Sequence, residues 1–220
     1  MVAQRLSVVI PALNEARGIR AALEALAPLR ARGHEVIVAD GGSADGTADL
    51  ALGLCDRVLQ APRGRALQMN AGARAATGDF LVFLHADTRL PPRADEMILN
   101  TPLWGRFDVE IEGRHPLLKA IACGMNLRSR LTGIATGDQA IFVRRAAFPG
   151  FPEIALMEDV AFCRAMKKLG PPACRREKVL TSGRRWESRG VLRTVLLMWR
   201  LRLMYFLGTD PEDLSRIYYR

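Results

Sequence analysis

The chain has 220 residues, 49% of them hydrophobic and 25% charged, a composition that fits one compact globular domain with a sizeable core. Its cysteines lie far apart and form no C-x-x-C pair, which argues against a zinc site and against a disulfide framework. We therefore expect reduced, buried thiols at Cys55, Cys123, Cys163 and Cys174.

The net charge of +9 is concentrated at one end of the chain. Residues 1–163 carry 18 basic and 18 acidic side chains, whereas residues 164–220 carry 14 basic and 5 acidic ones. Such an excess is typical of proteins that bind nucleic acid or an anionic membrane. Nucleic acid is disfavoured, because aromatic residues make up only 6% of the chain and those of the tail cluster in one apolar segment.

The N-terminal segment LSVVIPAL is apolar but short, and it leads directly into charged residues instead of a small-residue cleavage site. We therefore expect no targeting segment and a cytoplasmic protein, with contact to the inner face of the cell membrane left open.

Short apolar runs alternate with helical patterns in the first half of the chain. The runs predict strands that are buried on both faces, at residues 6–10, 35–40, 57–60 and 80–87. Between them, a helical repeat begins at Ile19 after Asn14, a good N-cap residue, and alanine- and leucine-rich stretches cover 47–54 and 66–76. This alternation predicts a parallel sheet, in which ligands bind at the carboxyl ends of the strands.

The alternation weakens in the second half of the chain. Strand and helix patterns follow one another at residues 107–113, 120–131, 139–145 and 158–170. We expect one α/β body with a mixed sheet over residues 1–180, followed by a basic, apolar helical extension over residues 181–220.

Polar residues and glycines follow each of the four predicted strands. They are Pro11, Asn14 and Glu15 after the first strand, Asp40 to Gly42 after the second, Arg63 to Arg65 after the third, and His85 to Asp87 at the end of the fourth. Because the carboxyl ends of parallel strands lie along one edge of a sheet, we expect a ligand site there and not only a set of turns.

The sequence around this edge excludes two phosphate-binding motifs. GGSADGT has the spacing of a Walker loop but lacks its lysine, and the first strand leads into PALNE instead of a G-x-G-x-x-G loop. The carboxylate of Asp40 can accept a hydrogen bond from the imide of uracil or guanine, or from a ribose hydroxyl. Asp87 is a candidate ligand of a hard divalent cation, and His85 is either a second ligand or a hydrogen-bonded core residue.

Five segments, taken in order, resemble a family 2 glycosyltransferase of the GT-A fold over residues 6–170. They are SVVIPALNE, VIVADGGSADGT, RGRALQMNAGARAATGDFLVFLHADT, TGDQAIFVRRAAF and LMEDVAFCRAMKKLG. The tail resembles that of a bacterial subgroup, the transferases associated with radical-SAM and selenodomain proteins. The resemblance implies an enzyme that uses a nucleotide diphosphate sugar as the donor.

The resemblance also implies which residues bind that donor. A UDP- or GDP-sugar would contact Pro11, Asn14, Glu15, Asp40, Gly41, Arg65, Asp87 and Arg185. Asp87 matches the last acid of the family's D-x-D motif, whereas His85 stands where the first acid would be. The implied cofactor is Mg²⁺ or Mn²⁺, bound through Asp87 and His85 less tightly than by two carboxylates.

Glu158 and Asp159 match the family's catalytic pair. From residue chemistry alone, two acids at a helix N-terminus can also be capping residues, which gain about 0.3–1 kcal/mol from the helix dipole. In the catalytic interpretation, one of the two acids, Asp159 in preference to Glu158, removes the proton of an acceptor hydroxyl and the sugar is transferred with inversion.

Two further segments would contact the acceptor. Asp138, in TGDQ, has two interpretations. It either faces the acceptor or only stabilises a turn. SGRRWES resembles the Q-x-x-R-W motif of processive family members, but Ser182 replaces the glutamine, so polymerisation is not expected. Arg185 would contact the diphosphate and Trp186 the acceptor; the alternative is a basic surface patch with a buried indole.

Residues 191–208 are apolar and compatible with a helix, but they contain Arg193, Arg200 and Arg202. The segment is too short and too charged to cross a bilayer, which takes about 20 apolar residues. Three interpretations are open: a helix packed on the body, a helix that forms a homodimer, or a helix that lies on an anionic membrane.

Two other classes of protein compete with the glycosyltransferase. A nucleotidyltransferase of related fold would need an N-terminal glycine-rich, basic loop, which PALNEARG does not supply. A non-enzymatic protein would bind a membrane or nucleic acid through its basic residues 164–220.

Overall fold

Four parallel strands form one half of the sheet in the computed structural model, which describes residues 4–219. They are β1 (Leu6–Ala12), β2 (Glu35–Asp40), β3 (Arg57–Gln60) and β4 (Phe80–Phe83), in the order β3-β2-β1-β4. The predicted strands 35–40 and 57–60 are confirmed. β1 continues to Ala12, and β4 already ends at Phe83, so His85 and Asp87 lie in the loop beyond it.

β3 is the outermost strand of this half, and it is not buried on both faces. Arg57 and Gln60 at its ends are exposed, and the two residues between them are only half-buried. The prediction of a two-faced buried strand is wrong here, because an edge strand has a neighbour on one side only and polar residues are tolerated on it.

The other half of the sheet is mixed, as predicted. β7 (Phe142–Arg144) is antiparallel to both β4 and β6 (Trp104–Glu112), β8 (Ala173–Ser182) is parallel to β6, and β5 (Thr88–Arg89) is antiparallel to β8. The strand predicted over residues 139–145 begins only at Phe142, because Gly137–Gln139 form a 3₁₀ turn.

Helices cover both faces of the sheet. They are α1 (Ile19–Ala31), α2 (Thr47–Ala51), α3 (Arg65–Ala75), α4 (Ala94–Leu99), α5 (Leu117–Thr132), α6 (Glu158–Lys167), α7 (Arg184–Arg189), α8 (Val191–Phe206) and α9 (Pro211–Tyr218). Successive residues of β1 point to opposite faces. Val8 and Ile10 join the core layer beneath α1, whereas Val9 joins the layer beneath α3.

Asn14 does not cap α1. The helix begins at Ile19 behind Gly18, and Asn14 has a left-handed backbone with φ of 56°. Its side chain instead accepts a hydrogen bond from the amide of Ala44, in the loop after β2. The prediction that Asn14 caps α1 is wrong, because its side chain joins the loop after β1 to the loop after β2 instead.

The cysteines are free thiols, but they are not all buried. Cys55 and Cys163 are buried, Cys174 is half-buried and Cys123 is exposed. The prediction is wrong for Cys123, because α5 packs through the face that carries Leu118 and Ala122 and leaves Cys123 on the solvent side.

The C-terminal helices pack on the N-terminal end of α6. The shared apolar cluster consists of Leu156, Met157 and Val160 with Leu201, Leu214 and Tyr218. One face of α8 is thus packed on the body, as one of the three interpretations of residues 191–208 expects. β8 extends the sheet to Ser182, so the helical extension begins at Arg184. No helix within residues 4–219 has both the length and the apolar character that a membrane span requires.

Candidate active site

The loops that follow β1 and β2 are joined by hydrogen bonds. The Asn14 amide donates to Ser43 Oγ at 2.9 Å, and Asn14 Oδ1 accepts from the Ala44 amide at 3.0 Å. The Glu15 amide donates to Thr47 Oγ1 at 2.8 Å. The predicted donor-binding residues of the two loops are thereby held together.

Asp40 ends β2 with its carboxylate turned back into its own loop, and only 1% of the residue is exposed. Oδ2 accepts from the amides of Gly42 and Ser43 at 3.0 and 2.9 Å, and Oδ1 accepts from the Ser43 hydroxyl. A buried strand ends in an acid here because the turn offers three donors to one carboxylate. Oδ1 keeps one lone pair that accepts no hydrogen bond from the loop.

Gly41 lies where no larger residue fits. A Cβ at this position would lie 2.8 Å from Nε2 of Gln68. That Nε2 donates to the carbonyls of Ala12 at 2.6 Å and Ala39 at 3.1 Å, so Gln68 joins the ends of β1 and β2. Pro11, the remaining predicted residue of this edge, pairs with Ala39 in the sheet.

A cleft of about 90 Å³ lies beside these loops, between the end of β4, α6 and the C-terminal helices. Its charged and titratable lining consists of Arg65, His85, Asp138, Glu158, Asp159, Arg185, Arg202 and Tyr218. A smaller cavity of about 10 Å³ shares several of these side chains. All of the charged lining residues except Arg202 are among the predicted site residues.

Arg65, the first residue of α3, and Glu158, the first residue of α6, form an ion pair. Nη1 lies 3.2 Å from Oε1, and the Glu158 side chain is only 3% exposed. Burial lowers the pKa of Arg65, but the charges of Glu158 and Asp159 outweigh it and hold that pKa above its ordinary value. Burial raises the pKa of Glu158, and the charge of Arg65 opposes this rise. Glu158 is therefore engaged with a cation and is not a simple helix cap.

Asp159 lies beside this pair with both carboxylate oxygens held by backbone amides. Oδ2 accepts from Gly137 at 3.2 Å and Oδ1 from Val160 at 2.7 Å. Met157, just before the two acids, has a φ of 70°, which is rare for a residue with a side chain. Such a conformation costs about 1–3 kcal/mol and is kept only where the surroundings enforce it. At this point of the chain both consecutive acids, Glu158 and Asp159, line the cleft.

His85 and Asp138 both line the cleft, and His85 Nδ1 lies 3.4 Å from Asp138 Oδ1. Burial raises the pKa of Asp138, but the interaction with His85 outweighs it, so the net pKa is lowered. His85 Nε2 is buried without a hydrogen-bond partner and lies against Gly137. This geometry does not favour the predicted role of His85 as a metal ligand.

Asp87 is exposed just beyond β4, and its charge reaches Glu15. Burial raises the pKa of Glu15, the carboxylate of Asp87 raises it further, and Arg184 and Arg185 oppose this. Asp87, Arg184 and Arg185 thus all lie within electrostatic reach of Glu15. Within residues 4–219, no three His, Cys, Asp or Glu side chains come together as a complete metal site.

Arg185 and Trp186 are adjacent in the chain but have different surroundings. Arg185 lines the cleft and donates from Nη1 to the Tyr218 hydroxyl at 2.9 Å. Trp186 is partly buried against the core layer beneath α1 and is not among the residues that line the cleft. The structure therefore matches the buried indole, and it does not bring Trp186 to the predicted acceptor site.

Three cleft residues come from the C-terminal helices and are not predicted from the sequence. They are Met198 and Arg202 of α8 and Tyr218 of α9. The available signal is Arg202 itself, because an arginine inside an apolar segment that packs on the body needs a polar destination.

Comparison with known proteins finds a family that resembles the first half of the chain. The model of the family described as "Glycosyl transferase family 2" matches residues 7–114, which include the loops of Asn14, Asp40 and Asp87. The match covers just under half of the chain. The acids of α6 and the C-terminal helices lie beyond the matched residues.

Curated relatives match a similar share of the chain. The PGL/p-HBAD biosynthesis glycosyltransferase of Mycobacterium bovis is 36% identical over 97 residues, which are 41% of this chain and 38% of the relative. The succinoglycan biosynthesis protein ExoA of Rhizobium meliloti is 37% identical over 108 residues, 44% of this chain and 32% of the relative. The chain spans well under half the length of these relatives.

Solved structures confirm the GT-A fold of the chain. Glucosyl-3-phosphoglycerate synthase of Mycobacterium tuberculosis, solved with Mn²⁺, UDP and glucosyl-3-phosphoglycerate, has a TM-score of 0.59 at 18% identity, over 81% of this chain and 71% of its own. Mannosyl-3-phosphoglycerate synthase of Rubrobacter xylanophilus has a TM-score of 0.62 at 21% identity, over 94% of this chain and 76% of its own.

Proposed function

We propose that the protein transfers a sugar from a nucleotide diphosphate sugar to the hydroxyl group of an acceptor, with inversion at the anomeric carbon and with Mg²⁺ or Mn²⁺ as cofactor. The observation that carries the proposal is that Arg65, Asp138, Glu158, Asp159 and Arg185 converge on one cleft at the carboxyl ends of the parallel strands. Ligands of such sheets bind at this edge.

The donor nucleoside is assigned to the joined loops after β1 and β2. Pro11, Asn14 and Glu15 provide the surface, Gly41 leaves room for Gln68 beneath it, and Asp40 Oδ1 offers one acceptor lone pair. Uracil and guanine both carry an imide N–H that suits this acceptor, so UDP- and GDP-sugars are both donors to test. Arg65 and Arg185 supply positive charge for the diphosphate.

The residues at the end of β4 fit a divalent cation. Asp87 and Glu15 lie close enough that the charge of Asp87 raises the pKa of Glu15, and a cation beside Asp87 would relieve this repulsion. Mg²⁺ is commonly held by one or two carboxylates with water and phosphate oxygens completing its shell, so a full set of protein ligands is not needed. When bound, the cation would offset negative charge on the leaving diphosphate.

Asp159 is assigned as the general base. Its two amide hydrogen bonds fix the carboxylate, and each oxygen keeps a lone pair for the proton of the acceptor hydroxyl. The hydroxyl oxygen forms a bond to the anomeric carbon as the bond to the diphosphate breaks on the opposite face, and the proton goes to Asp159. Glu158 is assigned as the residue that positions Arg65, because its carboxylate is committed to that ion pair.

A thermal-shift titration tests the enzyme assignment. Wild type, Asp87→Ala and the control Glu177→Ala, an exposed acid on β8, are titrated with UDP, GDP and their sugars with and without Mn²⁺. We expect metal-dependent stabilisation of wild type and control by one of these nucleotides, and little or none for Asp87→Ala. If none of them stabilises the wild type, the non-enzymatic basic protein becomes the better description.

We also propose that α8 lies on an anionic membrane. Its exposed apolar stripe consists of Leu192, Leu196, Trp199, Leu203 and Phe206, each more than half exposed. The spacing of three and four residues places them along one side of the helix. Such an exposed stripe on a helix is typical of a contact surface.

The charges around this stripe match a membrane of anionic lipids. Arg193 and Arg200 are exposed and lie at one border of the stripe, whereas Arg202 turns into the cleft and leaves the stripe uninterrupted. Each basic residue near an anionic surface contributes about 1 kcal/mol. A second copy of this chain would have to bring a second set of like charges to the same contact, which favours the membrane.

A further inference from the structure

Two arginines near the cleft have buried nitrogen atoms without hydrogen-bond partners. Among the described residues, Nε and Nη2 of Arg128, on α5, and Nε of Arg202, on α8, have none. Arg202 lines the cleft, and both guanidinium groups lie within electrostatic reach of Asp159. Buried charged groups are normally paired and hydrogen-bonded, so this arrangement needs an explanation.

Other arginines of the same region pair with carboxylates. Arg106 and Arg130 both pair with Asp108, and Arg65 pairs with Glu158. Nε of Arg106 also has no hydrogen-bond partner, but its Nη1 is held by Asp108. Arg128 and Arg202 differ because neither forms an ion pair within residues 4–219, although Arg202 lines the open cleft and Asp159 lies within electrostatic reach of both.

The two positive charges also act on each other. Burial lowers the pKa of Arg128 to about 10, and the charge of Arg202 adds to this effect while Asp159 opposes it. Burial likewise lowers the pKa of Arg202, and Asp159 and Asp138 oppose the change. The protein therefore holds two partly desolvated cations close together, an arrangement that an incoming anion would stabilise.

We propose that Arg128 and Arg202 bind an anionic group of the acceptor, a phosphate or a carboxylate, beside the hydroxyl that Asp159 deprotonates. This inference rests on the proposed transferase function and deepens it, since it assigns the acceptor to a chemical class. Arg65 and Arg185, on other elements of the same cleft, remain available for the diphosphate of the donor. The anion belongs either to a soluble acceptor or to a lipid headgroup.

Binding of glycerol 3-phosphate, with glycerol as its uncharged counterpart, tests the site. Calorimetric titrations are run with saturating UDP and Mn²⁺, so that phosphate does not enter the diphosphate site. We expect wild type to bind glycerol 3-phosphate and not glycerol. Arg128→Gln and Arg202→Gln should each weaken this binding about tenfold to a hundredfold, whereas Arg176→Gln, an exposed arginine on β8, should leave it unchanged.

A measurement without ligand separates a binding role from a structural one. If the two arginines await an anion, Arg128→Gln and Arg202→Gln should unfold at the same or a higher temperature than wild type, because a buried like charge has been removed. A clear drop in both melting temperatures would mean that they hold the fold together, and the proposal would be wrong.

The remaining outcomes also decide between explanations. Equal affinity for glycerol 3-phosphate in wild type and in both variants overturns the anion site, as does binding that UDP abolishes. Failure of UDP to bind wild type, with phosphate binding intact, counts against the transferase function and not against the anion site. Competition by phosphatidylglycerol vesicles, absent with phosphatidylcholine vesicles, assigns the anion to a lipid headgroup, and lack of competition assigns it to a soluble acceptor.

Discussion

Arg65 Nη1 lies 3.2 Å from Glu158 Oε1, and this ion pair joins the part of the chain that matches the family to the part beyond it. Arg65 begins α3 and Glu158 begins α6. The Glu158 carboxylate is buried, so its negative charge needs Arg65 as a partner. The half-exposed Arg65 is partly solvated by water and needs Glu158 less. The two partners should therefore respond differently to substitution.

We expect Arg65→Gln to lower the free energy of unfolding by about 1–3 kcal/mol at pH 8, because a buried carboxylate is left without its cation. The deficit should shrink towards pH 5. Burial already raises the pKa of Glu158, and loss of Arg65 raises it further, so the folded state takes up a proton more readily than the unfolded state. The stability gained from protonating Glu158 is fully present below the pKa that this residue has in the unfolded chain. It is lost as the pH rises through the pKa that Glu158 has in the folded protein.

Urea unfolding at the two pH values measures this effect. The double variant Arg65→Gln with Glu158→Gln is the control, since it contains no buried carboxylate at this position and its stability relative to wild type should depend less on pH. A deficit of the single variant that is the same at pH 5 and pH 8 would contradict the assignment.

Asp159→Asn separates donor binding from catalysis. The amide keeps an oxygen that accepts one backbone hydrogen bond, but it cannot take the proton of the acceptor. We expect thermal stabilisation by the donor nucleotide to be retained, and release of nucleoside diphosphate from the sugar donor to fall by about 10²–10⁴-fold. Glu153→Gln, an exposed acid in the loop before α6, is the control. Undiminished turnover in Asp159→Asn would place the base elsewhere.

Asp40 and Ser43 make different contributions to the donor loop. Ser43→Ala removes two hydrogen bonds, the one to Asp40 Oδ1 and the one from the Asn14 amide, and leaves both amide bonds to Asp40 Oδ2. We therefore expect a loss of about 1–3 kcal/mol in unfolding free energy and UDP affinity within about twofold of wild type. Asp40→Asn weakens the hydrogen bonds from the Gly42 amide, the Ser43 amide and the Ser43 hydroxyl, and it also weakens the free lone pair of Oδ1. Unfolding free energy and UDP affinity should therefore both fall.

Chemical denaturation and UDP titration of the same samples test this pair of variants. Asp49→Asn, an exposed acid on α2, controls for the loss of a charge near the loop. If Asp40→Asn loses stability but binds UDP as well as wild type does, Asp40 closes the turn without contacting the nucleoside.

Much of the site follows from the sequence because its acids and glycines interrupt apolar strands. Asp40 after a buried run and His85 to Asp87 after another mark the edge of the sheet before any contact is known. The doublet of Glu158 and Asp159 before a helical pattern is equally visible. In each case a polar residue appears where the local pattern calls for an apolar one, and the fold rules for parallel sheets then bring the strand ends together.

The parts that the sequence does not predict depend on long-range packing. β8 carries the charged run of Arg175 to Lys178, which hides its strand pattern because half of the strand faces solvent. Trp186 looks like an acceptor contact beside Arg185, but which of two neighbours enters a cleft depends on the helix orientation. An arginine inside an apolar segment signals a polar destination, but the identity of that destination depends on how α8 packs against α6.

The exposed stripe of α8 gives a direct test of membrane contact. We expect wild type to sediment with vesicles that contain phosphatidylglycerol and not with pure phosphatidylcholine, and this binding to weaken at high salt. Replacing Trp199 and Leu203 by Gln should weaken it at least tenfold without changing the melting temperature, because both side chains are about two-thirds exposed. Leu169→Gln, which removes an equally exposed leucine at the other end of α6, should have no effect. If wild type ignores the vesicles and instead forms a dimer that the double variant abolishes in light scattering, the stripe is a protein interface and not a membrane contact.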